Sequence, residues 1–339
     1  GAVKNIEANG KGKIDLNEIP IDDAKTYDML QRGDTLGVFQ LESSGMTALV
    51  RRLRPDCFED MIALVALYRP GPLESGMVDT YVKCKHGEDT VHYLHPKLEP
   101  YMKDTYGVIL YQEQVMQIFR DLAGYSLGRA DIVRRAMAKK KHDVLERERE
   151  VFLHGQQRED GSWEVEGCLR RGVDEPTARA LFQEIESFAS YAFNKSHAAA
   201  YAFVSYQTAY LKCHYPREFM AALLTSVLDN TDKVIEYIGE CGRMGIKVLP
   251  PDVNISGEGF TVSGDAIRFG LLAVKNIGRG CIRELIAERE ENGPFLDFSD
   301  FCERMYGKET NKRAVESLIK SGALDCACKN RHSMLEGLE

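Results

Sequence analysis

The sequence predicts a mainly α fold with a few short strands, and three observations carry that prediction. Apolar residues recur at helical spacing over most of the chain. Strand-like alternation is confined to short runs around residues 37–41 and 260–269. Proline- and glycine-containing breaks separate the helical stretches at the spacing of a multi-helix globular protein. The 339 residues, 44% hydrophobic and 28% charged, suffice for two or three packed units. No apolar run approaches the ~18 residues of a membrane span, and no basic-then-apolar leader opens the chain. It starts Gly1-Ala2-Val3 and ends inside an incipient helix, Arg331 to Leu335, so it reads as a piece excised from something longer.

In order, residues 1–36 read as a polar, irregular lead-in, with a loop at Gly10-Lys11-Gly12-Lys13. A short strand is expected at Gly37–Leu41, then a helix from Ser44 to about Leu53, stopped by Arg54-Pro55. A second helix runs from about Phe58 to Leu67 and ends at Arg69-Pro70-Gly71-Pro72, where the prolines fix φ. Helices follow at Tyr111–Leu122 and from Ala130 to about Gly155. Residues 156–174 break the pattern and read as a surface excursion. A helix at Glu175–Phe188 precedes the most apolar one, Ser196–Lys212. Leu249-Pro250-Pro251-Asp252 marks a boundary at 250/251, and Phe260–Phe269 reads as a β-hairpin turning at Ser263-Gly264-Asp265. The remainder is helical.

Nine scattered cysteines form no disulfide framework and point to a reducing cytoplasm. The formal charge of −8 argues against a protein that coats nucleic acid without selection, so any such binding must rest on local patches.

The strongest patch is Arg129–His142, where Arg129, Arg134, Arg135, Lys139, Lys140 and Lys141 face one acid, Asp131. At about 100° per residue, Ile132, Val133, Ala136 and Met137 share one helix face. Arg134 and Arg135 fall opposite, flanking the small Ala138. Two fork-shaped guanidiniums on one face suit a polyanion such as a triphosphate. The alternative is a solvated face on which Asp131, three and four residues back, pairs with both arginines.

Asn194-Lys195-Ser196-His197 opens the apolar helix. Asn194 or Ser196 can cap it, and its free amides, with Lys195 and His197, make an anion site. The plainer reading is a capped start with His197 satisfied in the core and Lys195 on the surface. Leu271 to Ile286 resembles a helix-hairpin-helix motif. Gly278 and Gly280 allow close approach of backbone amides to a phosphate, with Ile277 and Arg279 between and beside them. Such a hairpin grips backbone without reading bases. An ordinary tight turn is the alternative.

Cys84, His86, His92 and His95 match no common zinc spacing. A two-metal phosphoryl-transfer site needs converging aspartates, often at i and i+2, and no two aspartates here have that separation.

Several segments together closely resemble the alpha subunit of bacterial DNA polymerase III, a replicative C-family polymerase. They are Gly37–Ser43, Leu67–Leu73, Tyr106–Met116, Arg134–Met137, Phe193–His197 and Tyr206–Lys212, in the family's order. The resemblance implies a fingers domain over 37–250, following a palm that lies outside the chain. Residues 251–339 would be a β-hairpin plus helix-hairpin-helix segment that binds DNA backbone. Arg134 and Arg135 would hold the triphosphate of the incoming dNTP. Lys195 and His197 would line the same pocket near the nascent base pair, with Arg69 on its wall. Lys139, Lys140, Lys141 and Ile277-Gly278-Arg279-Gly280 would contact DNA. Ala138 and Ala192 stand where the family more often has glycine.

The expected role is therefore part of a DNA-directed DNA polymerase, inactive alone. Its partners would be primer–template DNA, dNTP and the other holoenzyme subunits, with no membrane. The chain itself would bind no cofactor, magnesium being held by the palm. The competing readings are a stand-alone, sequence-neutral DNA-binding scaffold and a helical interaction module.

Overall fold

The computed structural model describes residues 1–139 and 142–338, so Lys140 and Lys141 lie outside the described residues. Eighteen α-helices and two small sheets are present among them. The chain divides into two compact units. One comprises Gly1–Ile19, Leu36–Val38 and Gln207–Glu339; the other comprises Pro20–Thr35 and Phe39–Tyr206. Each is described by itself.

The first unit begins with α1 (Ala2–Ala8), so the lead-in is not irregular throughout. Ile6 is fully buried, and it packs with Met220 and Leu224. Asn5 Nδ2 donates to the Glu218 carbonyl at 3.0 Å, and Asn9 Nδ2 to the Glu218 carboxylate at 2.9 Å. The second unit begins with α2 (Ala24–Gln31), capped by Asp23, which accepts from the Thr26 amide. Polar composition concealed both helices because each buries only a few residues.

The expected strand at Gly37–Leu41 is a turn. Gly37 (φ +79°) and Gln40 (φ +64°) both occupy the left-handed region, which an extended strand cannot accommodate. Then follow α3 (Ser44–Leu53), α4 (Phe58–Leu67), α5 (Pro70–Glu74), α6 (Met77–Lys85) and α7 (Glu99–Met102). Arg54, at φ +54°, closes α3 ahead of Pro55.

The core of the second unit gathers around α8 (Gln112–Ala123). Its Val115, Ile118, Phe119 and Leu122 pack with Ala130, Val133, Ala136 and Met137 of α9 (Leu127–Ala138). Only Gly124-Tyr125-Ser126 separate the two helices, and Gly124 takes φ +79° to end the first. One face of α9 departs from expectation: Ile132 is 66% exposed, and Ala130 replaces it in the core. Nor is there one helix from 130 to 155, because α9 ends at Ala138 and α10 (His142–His154) begins anew.

Residues 156–174 are more than a surface excursion. They form an antiparallel pair, β1 (Gln156–Gln157) with β2 (Trp163–Val165), and bury Val165, Cys168 and Val173. Gly155 (φ +85°) and Gly167 (φ +83°) permit the approach, since a Cβ on either would strike the other segment's backbone. Cys168 and Leu169 donate their amides to the Phe152 and Leu153 carbonyls. Next come α11 (Glu175–Phe188) and α12 (Lys195–His214), and the division between units falls within α12.

In the first unit, α13 (Pro216–Ser226) and α14 (Thr231–Arg243) lead to a three-stranded sheet. The expected hairpin is β4 (Thr261–Ser263) with β5 (Ala266–Arg268). A strand not anticipated, β3 (Lys247–Leu249), adds parallel to β5. Its three residues precede Pro250 and carry too little pattern to read alone. Then follow α15 (Arg279–Asn292), α16 (Phe298–Met305), α17 (Lys312–Ser321) and α18 (Arg331–Glu336) around a core of Ile282, Leu285, Phe301, Leu318 and Ile319.

Two buried charge clusters tie this unit together. Lys212, 1% exposed, donates to Glu240 Oε1 at 2.6 Å and to the Leu36 carbonyl at 2.8 Å. Arg243 meets the other Glu240 oxygen at 2.6 Å. Glu288 binds Lys308, Arg304 (3.0 Å) and Asn292 (2.9 Å).

Two outcomes follow. Lys212→Met strands a buried carboxylate and should cost about 3 kcal/mol in urea unfolding, most of it recovered in Lys212→Met/Glu240→Leu. The Lys308, Arg304 and Asn292 bonds hold the Glu288 carboxyl down at about 2, against an ordinary 4.5. A depressed folded value stabilises the protein fully above pH ~4.5 and loses that contribution as pH falls towards 2. Glu288→Gln should therefore flatten the acid limb of stability against pH in that window, measured by thermal denaturation.

Candidate functional site

The predicted site residues of the second unit are mounted around α8. Immediately before it, the Leu110 carbonyl accepts from the Phe193 amide and the Gln112 amide donates to the Phe193 carbonyl, both at 2.9 Å. Tyr111 and Phe193 thus form a parallel bridge between distant segments. Gln114 holds the turn from within. Its Oε1 accepts from the Leu110 and Tyr111 amides at 2.8 Å, and its Nε2 donates to Thr105 Oγ1 at 2.8 Å.

This junction delivers Asn194–His197 to the end of α8. Asn194 Oδ1 caps α12 by accepting from the His197 amide at 2.8 Å. The anion position at that helix start is filled internally. Glu113 accepts from the Lys195 amide with both oxygens, at 3.0 and 3.2 Å, and from Asn194 Nδ2 at 3.1 Å. Lys195 Nζ pairs with Glu59 at 3.1 Å and lies 5.3 Å from the Tyr111 ring centre. His197 is exposed and belongs to no core hydrogen bond among the described residues.

Arg69 joins the same locality. Its Nε donates to the Ala66 carbonyl at 2.9 Å, its Nη2 to the Tyr191 carbonyl, and its guanidinium covers the Phe193 ring at 4.4 Å. Burial lowers its pKa. Gly71 is required here because a Cβ would enter the Tyr191 ring.

On α9, Asp131 does pair with both arginines. Arg134 holds it in a fork, Nε at 3.1 Å and Nη2 at 2.7 Å, and Arg135 Nη2 takes the other oxygen at 2.7 Å. The Arg134 hydrogen bond leads the effects that keep the Asp131 carboxyl below its usual range. The Arg134 side chain is 12% exposed and that of Arg135 is 69% exposed. Lys139 is exposed at the end of α9. Among the described residues no hydrogen bond or ion pair joins Arg134 or Arg135 to Arg69, Lys195 or His197. The two sets share α8 as their mount.

Sequence reasoning missed Glu113 and Glu59. Glu113 lies inside Tyr106–Met116, a segment that carried the resemblance, but its partner is 82 positions away. No local pattern announces that.

In the first unit, α15 begins at Arg279 with Gly278 as its cap residue. The segment before the hairpin is not an α-helix but a 3₁₀ turn, Leu271–Ala273, followed by extended backbone and Asn276 at φ +65°. The left-handed Asn276 interrupts any helix leading into the hairpin. Among the described residues no side chain caps α15, and no acceptor takes the amides of Arg279, Gly280 or Cys281. Gly278 faces open space, whereas the Glu309 carboxylate occupies the position a Gly280 Cβ would need. Ile277 packs against the core, and Arg279 is exposed.

Asp56, Cys57 and Asp60 bring ligand atoms together, but Lys85 already bridges the carboxylates at 3.0 and 2.7 Å, and a thiol is a poor partner for magnesium. Among the described residues no helix is long and apolar enough to cross a membrane.

Removing the Glu113 carboxylate should expose the first amides of α12. Glu113→Ala is expected to lower stability by about 1 kcal/mol and to accelerate hydrogen exchange at the Lys195 amide; unchanged exchange there would contradict the assigned contact.

Residues 1–160 match the family model described as the bacterial DNA polymerase III alpha subunit finger domain, and residues 245–334 match a helix-hairpin-helix motif. The DNA polymerase III subunit alpha of Pasteurella multocida (strain Pm70) is 50% identical over 98% of this chain and 28% of its own length. That of Escherichia coli (strain K12) is 49% identical over 99% and 28%, and that of Thermus aquaticus is 50% identical over 99% and 27%. The chain thus spans little more than a quarter of the relatives it matches. Over that span, with the mainly helical architecture and hairpin described above, the chain is similar to DNA polymerase III alpha subunits.

Proposed function

We propose that this chain is the part of a replicative DNA polymerase that holds the incoming dNTP and grips primer–template DNA. Arg134 and Arg135 bind the triphosphate, Lys195 and His197 face the nucleotide near the nascent base pair, and Arg69 stiffens the wall beside them. Lys139 to Lys141 and the hairpin Ile277-Gly278-Arg279-Gly280 contact DNA backbone. In this reading 37–250 act as fingers and 251–339 as the backbone-binding segment.

The observation that carries the reading is the common mounting of both cationic sets on α8. One end of that helix holds Phe193–Lys195, while α9 packs along it after a three-residue connection. A helical hairpin of that kind carries the later residues of α9, Arg134 and Arg135 among them, back along α8. The arginine pair with Asp131 is partly exposed, and such pairs are worth about 0–1 kcal/mol, so a triphosphate can take over the guanidinium bonds. These residues supply charge and positioning, and no nucleophile or base is assigned to them. Magnesium is assigned to another part of the polymerase.

The uncapped start of α15 favours a second role, sequence-neutral attachment to duplex, and is compatible with the first.

The test exchanges this chain for the matching stretch of the Escherichia coli relative. Arg134→Ala and Arg135→Ala should each lower kcat/KM for dNTP by about 10²-fold or more, roughly 3 kcal/mol, with primer–template Kd little changed. Equal losses in both measurements would instead indicate a general DNA contact.

A further inference from the structure

Five side chains of the second unit stand in file. The Arg69 guanidinium lies 4.4 Å from the Phe193 ring centre. Phe193 meets His197 edge-on at 5.4 Å, His197 meets Tyr201 at 4.4 Å and 37°, and Tyr201 meets Phe39 at 5.6 Å and 39°. His197 and Tyr201 are four residues apart on α12 and therefore share a helix face. Phe39 reaches them from the left-handed turn that replaced the expected strand.

A neighbouring aromatic group shows what core packing looks like here. Tyr27 and Tyr206, 5.4 Å apart, are 3% and 0% exposed. The file is different. Phe39 is 40% exposed, His197 is exposed, and Phe193, Tyr201 and Arg69 are half-buried. It is therefore a row of rings partly exposed to solvent, with Lys195 and Arg69 as the cations in the same locality.

Solvent-exposed aromatic rings beside cations are the chemistry that receives a nucleobase, because rings stack on bases regardless of sequence while cations hold the attached phosphates. We infer that Tyr201 and Phe39, continuing from His197, form a stacking platform for a nucleobase. The inference rests on the proposal that Lys195 and His197 face the nucleotide. The base belongs either to the incoming nucleotide or to the template, and the chemistry is shared.

The experiment uses the exchanged polymerase described above, with Tyr201→Leu, Phe39→Leu and Tyr201→Phe. Insertion of 5-nitroindole deoxynucleoside triphosphate opposite an abasic site depends on stacking. It should fall about tenfold or more in the leucine variants and stay near wild type in Tyr201→Phe. A fall confined to this insertion assigns the incoming base. Loss of 2-aminopurine quenching at the templating position, with nitroindole insertion retained, assigns the template base. Both support the platform. Leucine variants that match wild type in both readouts overturn it. So does an equal loss for natural and nitroindole nucleotides that Tyr201→Phe shares, because that pattern marks a structural tyrosine. Arg134→Ala in the same background separates the two ideas. Unchanged kcat/KM for dNTP there defeats the nucleotide-binding reading itself, whereas a lowered kcat/KM beside silent leucine variants defeats the platform alone. Should the exchange be inactive, quenching of a 2-aminopurine oligonucleotide by the chain itself is compared across the same variants. Weaker quenching in the leucine variants then supports the platform, and quenching equal to wild type overturns it.

Discussion

The candidate site depends on the short bridge between Tyr111 and Phe193. Two amide–carbonyl bonds join segments about eighty residues apart and set Phe193 beside the start of α8. Gln114 supports the bridge from the buried side, satisfying two amides that would otherwise lack partners. Glu113, adjacent to Gln114, then closes the start of α12. One stretch, Leu110–Gln114, therefore positions Asn194 to His197, while the helix it opens packs against the apolar residues of α9, the helix that carries Arg134 and Arg135. A backbone link of this kind suits a binding site because it fixes direction without filling the space in front of the side chains.

The charge pattern follows from the same arrangement. Overall the chain is acidic, yet four of the candidate cations described around the site are matched to a carboxylate or carbonyl: Arg134 and Arg135 by Asp131, Lys195 by Glu59, Arg69 by two carbonyls. Pairs left partly open to solvent, as these are, contribute little to stability. What they do contribute is a fixed orientation for long side chains, which lowers the entropy lost when a polyanion binds. The Arg134 fork is the clearest instance, since its planar geometry is already set by Asp131.

Much of the helical architecture was legible because amphipathic spacing and capping residues are local signals. Phe58–Leu67 and Glu175–Phe188 lie where periodicity and proline placement put them. Failures came where geometry depends on distant atoms. Gly37–Leu41 alternates like a strand, but two left-handed residues turn it. Residues 156–174 lack periodicity because their order comes from glycine-to-backbone contact with Gly155 and from carbonyls of α10. β3 exists only because β5 accepts it.

The same distinction governs the site. Cations cluster visibly in a sequence, since six fall within fourteen residues. The carboxylates that hold them do not cluster. Asp131 was foreseeable because its partners lie three and four residues on along one helix. Glu113 and Glu59 were not, because their partner Lys195 arrives through the Tyr111–Phe193 bridge. The aromatic file extends this logic. His197 and Tyr201 are helical neighbours and could be paired from spacing alone, whereas Phe39 joins them only through a turn whose left-handed residues no alternation of apolar side chains reveals. Residue types thus disclose which chemistry a segment can perform, and the long-range backbone contacts decide which segments perform it together.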